Sequence, residues 1–468
     1  MDSGLKLWGI MTASAIVLAD DSPTLVKAAA RLAKVVFGDL IQICDNSDDD
    51  VEIQAAIDAC DALTRGGPCQ LLGNTFTISA TINLKPSVPL YGSGLDNTKI
   101  SLAASSNCDM LLFTPTADEQ GWIDLKGFSL DGNSGTQSSG HGIHFAVANS
   151  WRIYDPVIER VFVKDCKEDG IYVEGAKALV MRDVFTEYNL GDGLDITANP
   201  FFLYDIYAAW NGGNGIKTAG THYASSAHDV YAGANTGYGM FLGAQYAKYF
   251  GLSTSSNTDH AILAQCYDCA FFGITTVSTA GGKSSIYATR DRNRFTGCQT
   301  DGEFYLTSAA DNNIVVGNDL NSFRDLGTLN TVRNNKGVKL EDEKEFVLAT
   351  NASGGNLVKG DVVSWKASAS GNEFTDPTGV GEDLVMGMLA QDIDDAANGY
   401  LQVLGKTVDL KATNAVGGSI SLGDFLCTET GTRAQKAAAG DMAFAIALEI
   451  CEAANVTIDA LLIVPRKI

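Results

Sequence analysis

Five side chains have the residue types that acid–base or cation chemistry requires: His144, Tyr172, Glu174, Asp195 and Lys217. His144, Tyr172, Asp195 and Lys217 each follow by one residue an apolar position that recurs down the chain, and Glu174 follows its own by three. Cleaving a glycosidic bond takes two carboxyl groups, or a carboxylate with a cation, on adjacent supports. If the recurring positions stack, successive rungs lie about 4.8 Å apart. Glu174 and Asp195 would then stand diagonally on neighbouring rungs, with His144, Tyr172 and Lys217 around them. The plainer reading, outward polar residues that are simply solvated, stays open beside the catalytic one.

Two further sets recur at the same spacing. Arg160, Asp183, Asp205 and Asp229 stand eleven residues before successive apolar marks. Three stacked carboxylates with an arginine could hold calcium beside a base; they could equally be turn residues that accept backbone N–H groups. Phe162, Phe185, Tyr207 and Tyr231 stand nine before the marks. Such a column can stack sugars or be buried between subunits, since four exposed rings in line make a large apolar patch. Ten cysteines are scattered, and Cys266 with Cys269 reads as buried apolar filler rather than a redox pair.

The positioning element is a repeat. Segments such as HGIHF, DGIYVEG, DGLDITA, NGIKTAG and YGMFLGA put an apolar mark at 143, 171, 194, 216, 240, 262, 286 and 304, in steps of 28, 23, 22, 24, 22, 24 and 18. A period near 23 is that of a solenoid. Five before four successive marks stand Asn189, Asn211, Asn235 and Asn257. Amide side chains stacked in this way can hydrogen-bond along the coil inside a turn, and asparagine tolerates left-handed backbone there. Val161, Val184, Ile206, Val230 and Leu252, ten before, form an inward column. The marks themselves, with Phe145, Val173, Ile196, Thr218 and Leu242 two places on, form two more.

With 468 residues, a formal charge of −23 and no cluster of Lys or Arg, the chain is a poor match for nucleic acid, whose phosphates need a basic face. Residues 7–19 imitate a secretory signal but are too short to span a bilayer, so no membrane insertion is expected. Residues 23–37 have the periodicity of an amphipathic helix and, with what precedes them, read as an N-terminal arm over 1–44. That helix could dock elsewhere or pack on its own domain.

From 45 to 101 an acidic turn, a short helix (IQAAIDA), a GG turn, the strand GNTFTIS, then INL, VPLYGSG and TKIS follow one another. This order resembles the beginning of right-handed parallel β-helix proteins of the pectate lyase and phage tailspike type, in which the short helix covers the open end of the coil. The resemblance spans about 40–335 and implies an all-β chain, a single-stranded right-handed β-helix over 45–338. GHG at 140–142 is similar to a polygalacturonase motif. The paired aspartates expected before it are missing and Lys217 lacks the companion arginine, so that activity is not carried over. Beyond EDEKE (341–345) the period stops. Short strands such as GDVVSW, VMGMLA and GKTVDL, parted by Gly and Asp turns, predict a small C-terminal barrel or sandwich over 346–468, similar to the β-tulip domains of phage capsid-decorating proteins.

These resemblances imply a virion structural protein, a tailspike, fibre or capsid decoration, on the virion surface. It would be a homotrimer that meets capsid or tail proteins and a cell-surface polysaccharide, with the C-terminal domain serving attachment or oligomerisation. No cofactor is required, with calcium as a candidate ion. The alternatives are a secreted polysaccharide lyase or glycoside hydrolase, and a glycan-binding adhesin without turnover.

Overall fold

In the computed structural model the chain is nearly all β, a parallel solenoid of about 12 turns followed by a small, mostly antiparallel sheet. The structure describes residues 15–336, with breaks at 23, 38–39, 46–47, 64–65, 117–119, 147–152 and 221–223, and between 345 and 467 the strands with part of what joins them. The chain forms two compact units. The first runs to Arg290 and takes in Cys298–Tyr305; the second comprises Asp291–Gly297 and everything from Leu306.

Each coil of the first unit has three faces. One is built by the marks, as Ile143–Phe145, Ile171–Lys177, Leu194–Ala198, Ile216–Thr218 and Met240–Leu242, paired in parallel and in register. The other two come from single long strands, Val157–Lys164, Leu179–Glu187, Phe201–Ala209 and Ser226–Gly233, each bent at one residue. The bend is at Arg160, Asp183, Asp205 and Asp229, with φ between 51° and 54°. In the next coils Gly251 and Gly273 take the corner, with φ of 62° and 64°. A left-handed corner favours residues with little Cβ penalty or a short local acceptor, hence Asp and Gly.

The interior is filled as the period-two rule requires. Val161, Val184, Ile206, Val230 and Leu252 are buried, as are all the marks and Phe145, Val173, Ile196, Thr218 and Leu242. Each fully buried aliphatic or Phe side chain contributes about 1.5–3 kcal/mol against the entropy of ordering the coil. Cys266 and Cys269 are buried in this core.

The asparagine column forms a continuous ladder. Asn189 Nδ2 donates to Asn211 Oδ1, Asn211 Nδ2 to Asn235 Oδ1 and Asn235 Nδ2 to Asn257 Oδ1, each at 3.0 Å. The left-handed residue is the one before each asparagine, namely Tyr188, Trp210, Ala234 and Ser256 with φ of 54–59°. That turn aims the amide inward, where its second N–H reaches a strand carbonyl such as Thr186 O or Ala208 O.

The helix expected over 23–37 is α1, Thr24–Phe37, and the capping helix is α2, Asp50–Asp61. Of the arm expected over 1–44, residues 1–14 lie outside the described residues, and the strands and helix that follow pack together at the start of the coil. Ala15–Leu18 pairs in parallel with Ile41–Ile43 and with Cys69–Leu72, because its four apolar residues supply the edge that the first coil needs. The apolar stripe of α1 packs on this sheet through Val26 and Ala30. In α2, Ile53, Ala56, Ile57 and Cys60 are buried against the first coils. The acidic turn holds it there: Thr77 N–H donates to Asp49 Oδ2 at 2.6 Å and Ser79 N–H to Asp50 Oδ1 at 2.7 Å.

In the second unit, Asn313 and Asn318 donate to Asn330 and Asn335 at 3.2 and 2.8 Å. Among the described residues nine strands there form the mostly antiparallel sheet, in which the long strand Asn398–Ala412 pairs with Glu345–Asn351 and with Val456–Lys467. Leu410, Leu426, Phe444, Ile458 and Leu462 share its core.

Candidate functional site

Sheet register places His144, Tyr172, Asp195, Lys217 and Phe241 side by side on the outer side of the mark face. Each is half-buried except Asp195, which is 9% exposed. The candidate catalytic groups are engaged with one another. Tyr172 Oη donates to Glu174 Oε1 at 2.5 Å, and Lys217 Nζ to Asp195 Oδ2 at 2.7 Å. The Glu174 contact, followed by burial, pushes the Tyr172 phenol up. Burial alone would lower the Lys217 ammonium, but its hydrogen bond to Asp195 raises it on balance.

At the N-terminal end of this column His144 belongs to a group whose carboxylate, Asp109, the sequence did not single out. Asp109, in the turn before Leu111–Phe113, accepts the His141 N–H on Oδ1 at 2.8 Å and meets His144 Nδ1 with Oδ2 at 2.7 Å. The His141 ring stacks on Tyr172 with 5.0 Å between centroids and lies equally far from the His144 ring. Burial works to raise the Asp109 carboxyl, but the His144 contact, the His141 N–H and both imidazole charges hold it below the usual carboxylate range. Burial lowers His141, against the opposing pull of Asp109 and Glu168.

His141 also begins a second ladder, two residues before the marks. Asp169 N–H donates to His141 Nδ1 at 3.1 Å, Asp192 N–H to Asp169 Oδ1 at 2.6 Å, Asn214 N–H to Asp192 Oδ1 at 2.6 Å and Tyr238 N–H to Asn214 Oδ1 at 3.0 Å. With Nδ1 accepting, His141 carries its proton on Nε2, 3.1 Å from Glu168 Oε2. The available signal was the run of polar residues before glycine at these positions in HGI, DGI, DGL and NGI.

Burial, then the charges of Asp169 and Asp195, push the Asp192 carboxyl up to about 6. A carboxyl raised on folding favours the native state when protonated, so its contribution falls as pH rises from the unfolded value of 3.8 through about 6. Asp192→Asn keeps an acceptor for Asn214 and removes the charge. It is expected to raise the melting temperature by about 2–4 °C at pH 8, roughly 1 kcal/mol after solvent screening, and by nothing near pH 4. Thermal melts of both proteins at the two pH values check this.

The other predicted residues lie elsewhere on the coil. Asp183, Asp205 and Asp229 are exposed corner residues, and among the described residues no trio of metal-ligating atoms includes them. The trios that do converge are Asp109 with His141 and His144, and Cys44 with Asp49 and Glu52. Phe162, Phe185, Tyr207 and Tyr231 are in register but half-buried, packing ring on ring at 6.5, 6.1 and 4.9 Å. Two well-exposed aromatics stand in the next corner: Tyr188 and Trp210, 48% and 45% exposed, lie parallel within 7° at 5.3 Å.

No family model matches the chain, and no curated protein matches it. Among solved structures it is similar to the A-module of Azotobacter vinelandii mannuronan C-5 epimerase AlgE6, at 18% identity over 63% of this chain and 96% of the other, TM-score 0.40. ORF18 of Geobacillus virus E2 is similar at 13% identity over 77% and 74%, TM-score 0.44. The enzymatically active domain of bacteriophage CBA120 tailspike protein 2 is similar at 12% identity over 90% and 80%, TM-score 0.42. Its structural neighbours thus include phage proteins and a polysaccharide epimerase module.

Proposed function

We propose that the chain is a virion surface protein, a tailspike, fibre or capsid decoration, whose coil engages a cell-surface glycan while the second unit attaches or trimerises it. The observation that carries the glycan reading is the Tyr188–Trp210 pair. Both rings sit on left-handed residues, a strained state for bulky side chains that costs on the order of 1–3 kcal/mol each. The same corner in later coils is filled by Ala234 and Ser256. Two large rings kept strained, exposed and stacked one on the other form an aromatic ridge, whose outer ring faces and edges offer pyranose rings an apolar contact. Tyr207, 6.2 Å from Trp210, extends that surface.

The double variant Tyr188→Ala with Trp210→Ala is expected to keep the fold and to weaken glycan binding by about tenfold or more, from roughly 1.5–3 kcal/mol of lost stacking. A glycan array and binding to whole host cells measure it; undiminished binding sinks the reading. Mass photometry and micrographs of native particles test the rest. A monomer absent from every particle overturns the virion assignment.

A second reading, a polysaccharide lyase or hydrolase, is favoured by Asp192, a carboxyl held near 6 among other carboxylates, as a general acid requires. It expects reducing ends or unsaturated uronates from the bound glycan, lost in Glu174→Gln. Binding without product leaves an adhesin.

A further inference from the structure

We propose that Asp109, His141 and His144 bind one divalent transition-metal ion of zinc type, which ties two successive coils together at the start of the mark face. Their ligand atoms lie within 4.8 Å of one another. Asp109 belongs to one coil and both histidines to the next, since Leu111–Phe113 pairs in register with Ile143–Phe145.

Three features of the group point to an ion. Its donor set is two imidazoles and a carboxylate, which suits zinc and its neighbours, whereas calcium selects oxygen ligands throughout. His144 Nδ1 and Asp109 Oδ2 stand 2.7 Å apart, so an ion bound there replaces the one proton that the pair shares. The side chains of Asp109, His141 and His144 retain 18%, 13% and 17% exposure, so an ion can enter from solvent and keep a fourth, open position.

The fit requires little movement. Metal–ligand bonds of about 2.0–2.1 Å at tetrahedral angles put ligand atoms about 3.3 Å apart. The His144–Asp109 contact, at 2.7 Å, must therefore open by roughly half an ångström. The His141 ring is already oriented by its Nε2–H, 3.1 Å from Glu168 Oε2, the kind of outer partner that metal-bound histidines use; its Nδ1 then ligates the ion in place of the Asp169 N–H. The proposal does not depend on what the aromatic surface binds.

The test uses full-length protein stripped with chelator, titrated calorimetrically with zinc chloride alone and, separately, with calcium chloride. One equivalent of zinc is expected, with no saturable calcium binding at these residues. His144→Gln and Asp109→Asn should each weaken zinc binding at least tenfold. Asp109→Asn also alters the acceptor of the His141 N–H, so far-UV circular dichroism accompanies it, and His144→Gln decides if it misfolds. Cys44→Ser, in the second trio, should bind zinc as the unaltered protein does. Cobalt substitution should give tetrahedral absorption without a thiolate charge-transfer band. The proposal is overturned if the unaltered protein takes up no zinc, if His144→Gln binds it equally well, or if Cys44→Ser abolishes binding while His144→Gln retains it.

Discussion

Asn211→Ala is expected to lower stability by about 3–5 kcal/mol and the melting temperature by on the order of 10 °C. Asn211 is 1% exposed and stands mid-ladder. Its Oδ1 accepts both the backbone N–H and the Nδ2 of Asn189, at 3.2 and 3.0 Å, while its Nδ2 donates to Asn235 Oδ1 and to Thr186 O at 3.0 and 3.2 Å. Alanine removes all four bonds and leaves two buried donors of Asn189, its backbone N–H and its Nδ2, without that acceptor. The penalty is that of orphaned groups, not the modest net worth of a bond exchanged with water. In a solenoid each coil contacts only its neighbours, so the damage should concentrate around 186–236. Denaturant titration gives the total, and native-state hydrogen exchange should show those coils opening first. A loss under about 1 kcal/mol would mean that the ladder only decorates a coil held by its apolar columns.

Gly140→Ala should cost nearly as much, on the order of 3–5 kcal/mol, and should also displace the histidine site. Gly140 has φ of 120°, and a Cβ there would stand 2.1 Å from the Cys108 carbonyl oxygen, a backbone atom with no freedom to retreat. Its carbonyl accepts the Glu168 N–H at 3.0 Å, which pins it from the other side. Two penalties add, about 1–3 kcal/mol for an L-residue in that conformation and a similar amount for overpacking. Gly273→Ala is the contrast, because at φ of 64° a Cβ meets nothing within 4 Å and only backbone strain of about 1–2 kcal/mol remains. Equal midpoints for the two variants in a denaturant titration would refute the clash. Because Gly140 precedes His141 and its neighbour Cys108 precedes Asp109, Gly140→Ala should also shift the His144 and His141 ring resonances in NMR spectra.

The coil was legible in the residues because its determinants are periodic and local. The marks, the inward columns and the asparagine column recur about every 23 residues, and stacking in parallel register turns equal sequence position into spatial adjacency. The same logic puts His144, Tyr172, Asp195 and Lys217 in one row. Three things escaped it. Asp109 lies before the repeat becomes regular, so its approach to His141 and His144 follows from the pairing of Leu111 with Ile143 across a step of 32 residues, well beyond the period. The left-handed residue falls on Tyr188 and Trp210 and not on the asparagines, since the amide must face inward and the chain turns one residue earlier; this projects two aromatic rings outward that no column had marked. Ala15–Leu18 and Ile41–Ile43 join the coil because a bare first rung exposes its edge, a need invisible in the helix between them. Periodicity alone therefore determined the architecture and which residues share a face. How far each side chain is buried, and which groups spend their hydrogen bonds on one another, only the tertiary structure decided, because both depend on non-periodic turns between the rungs.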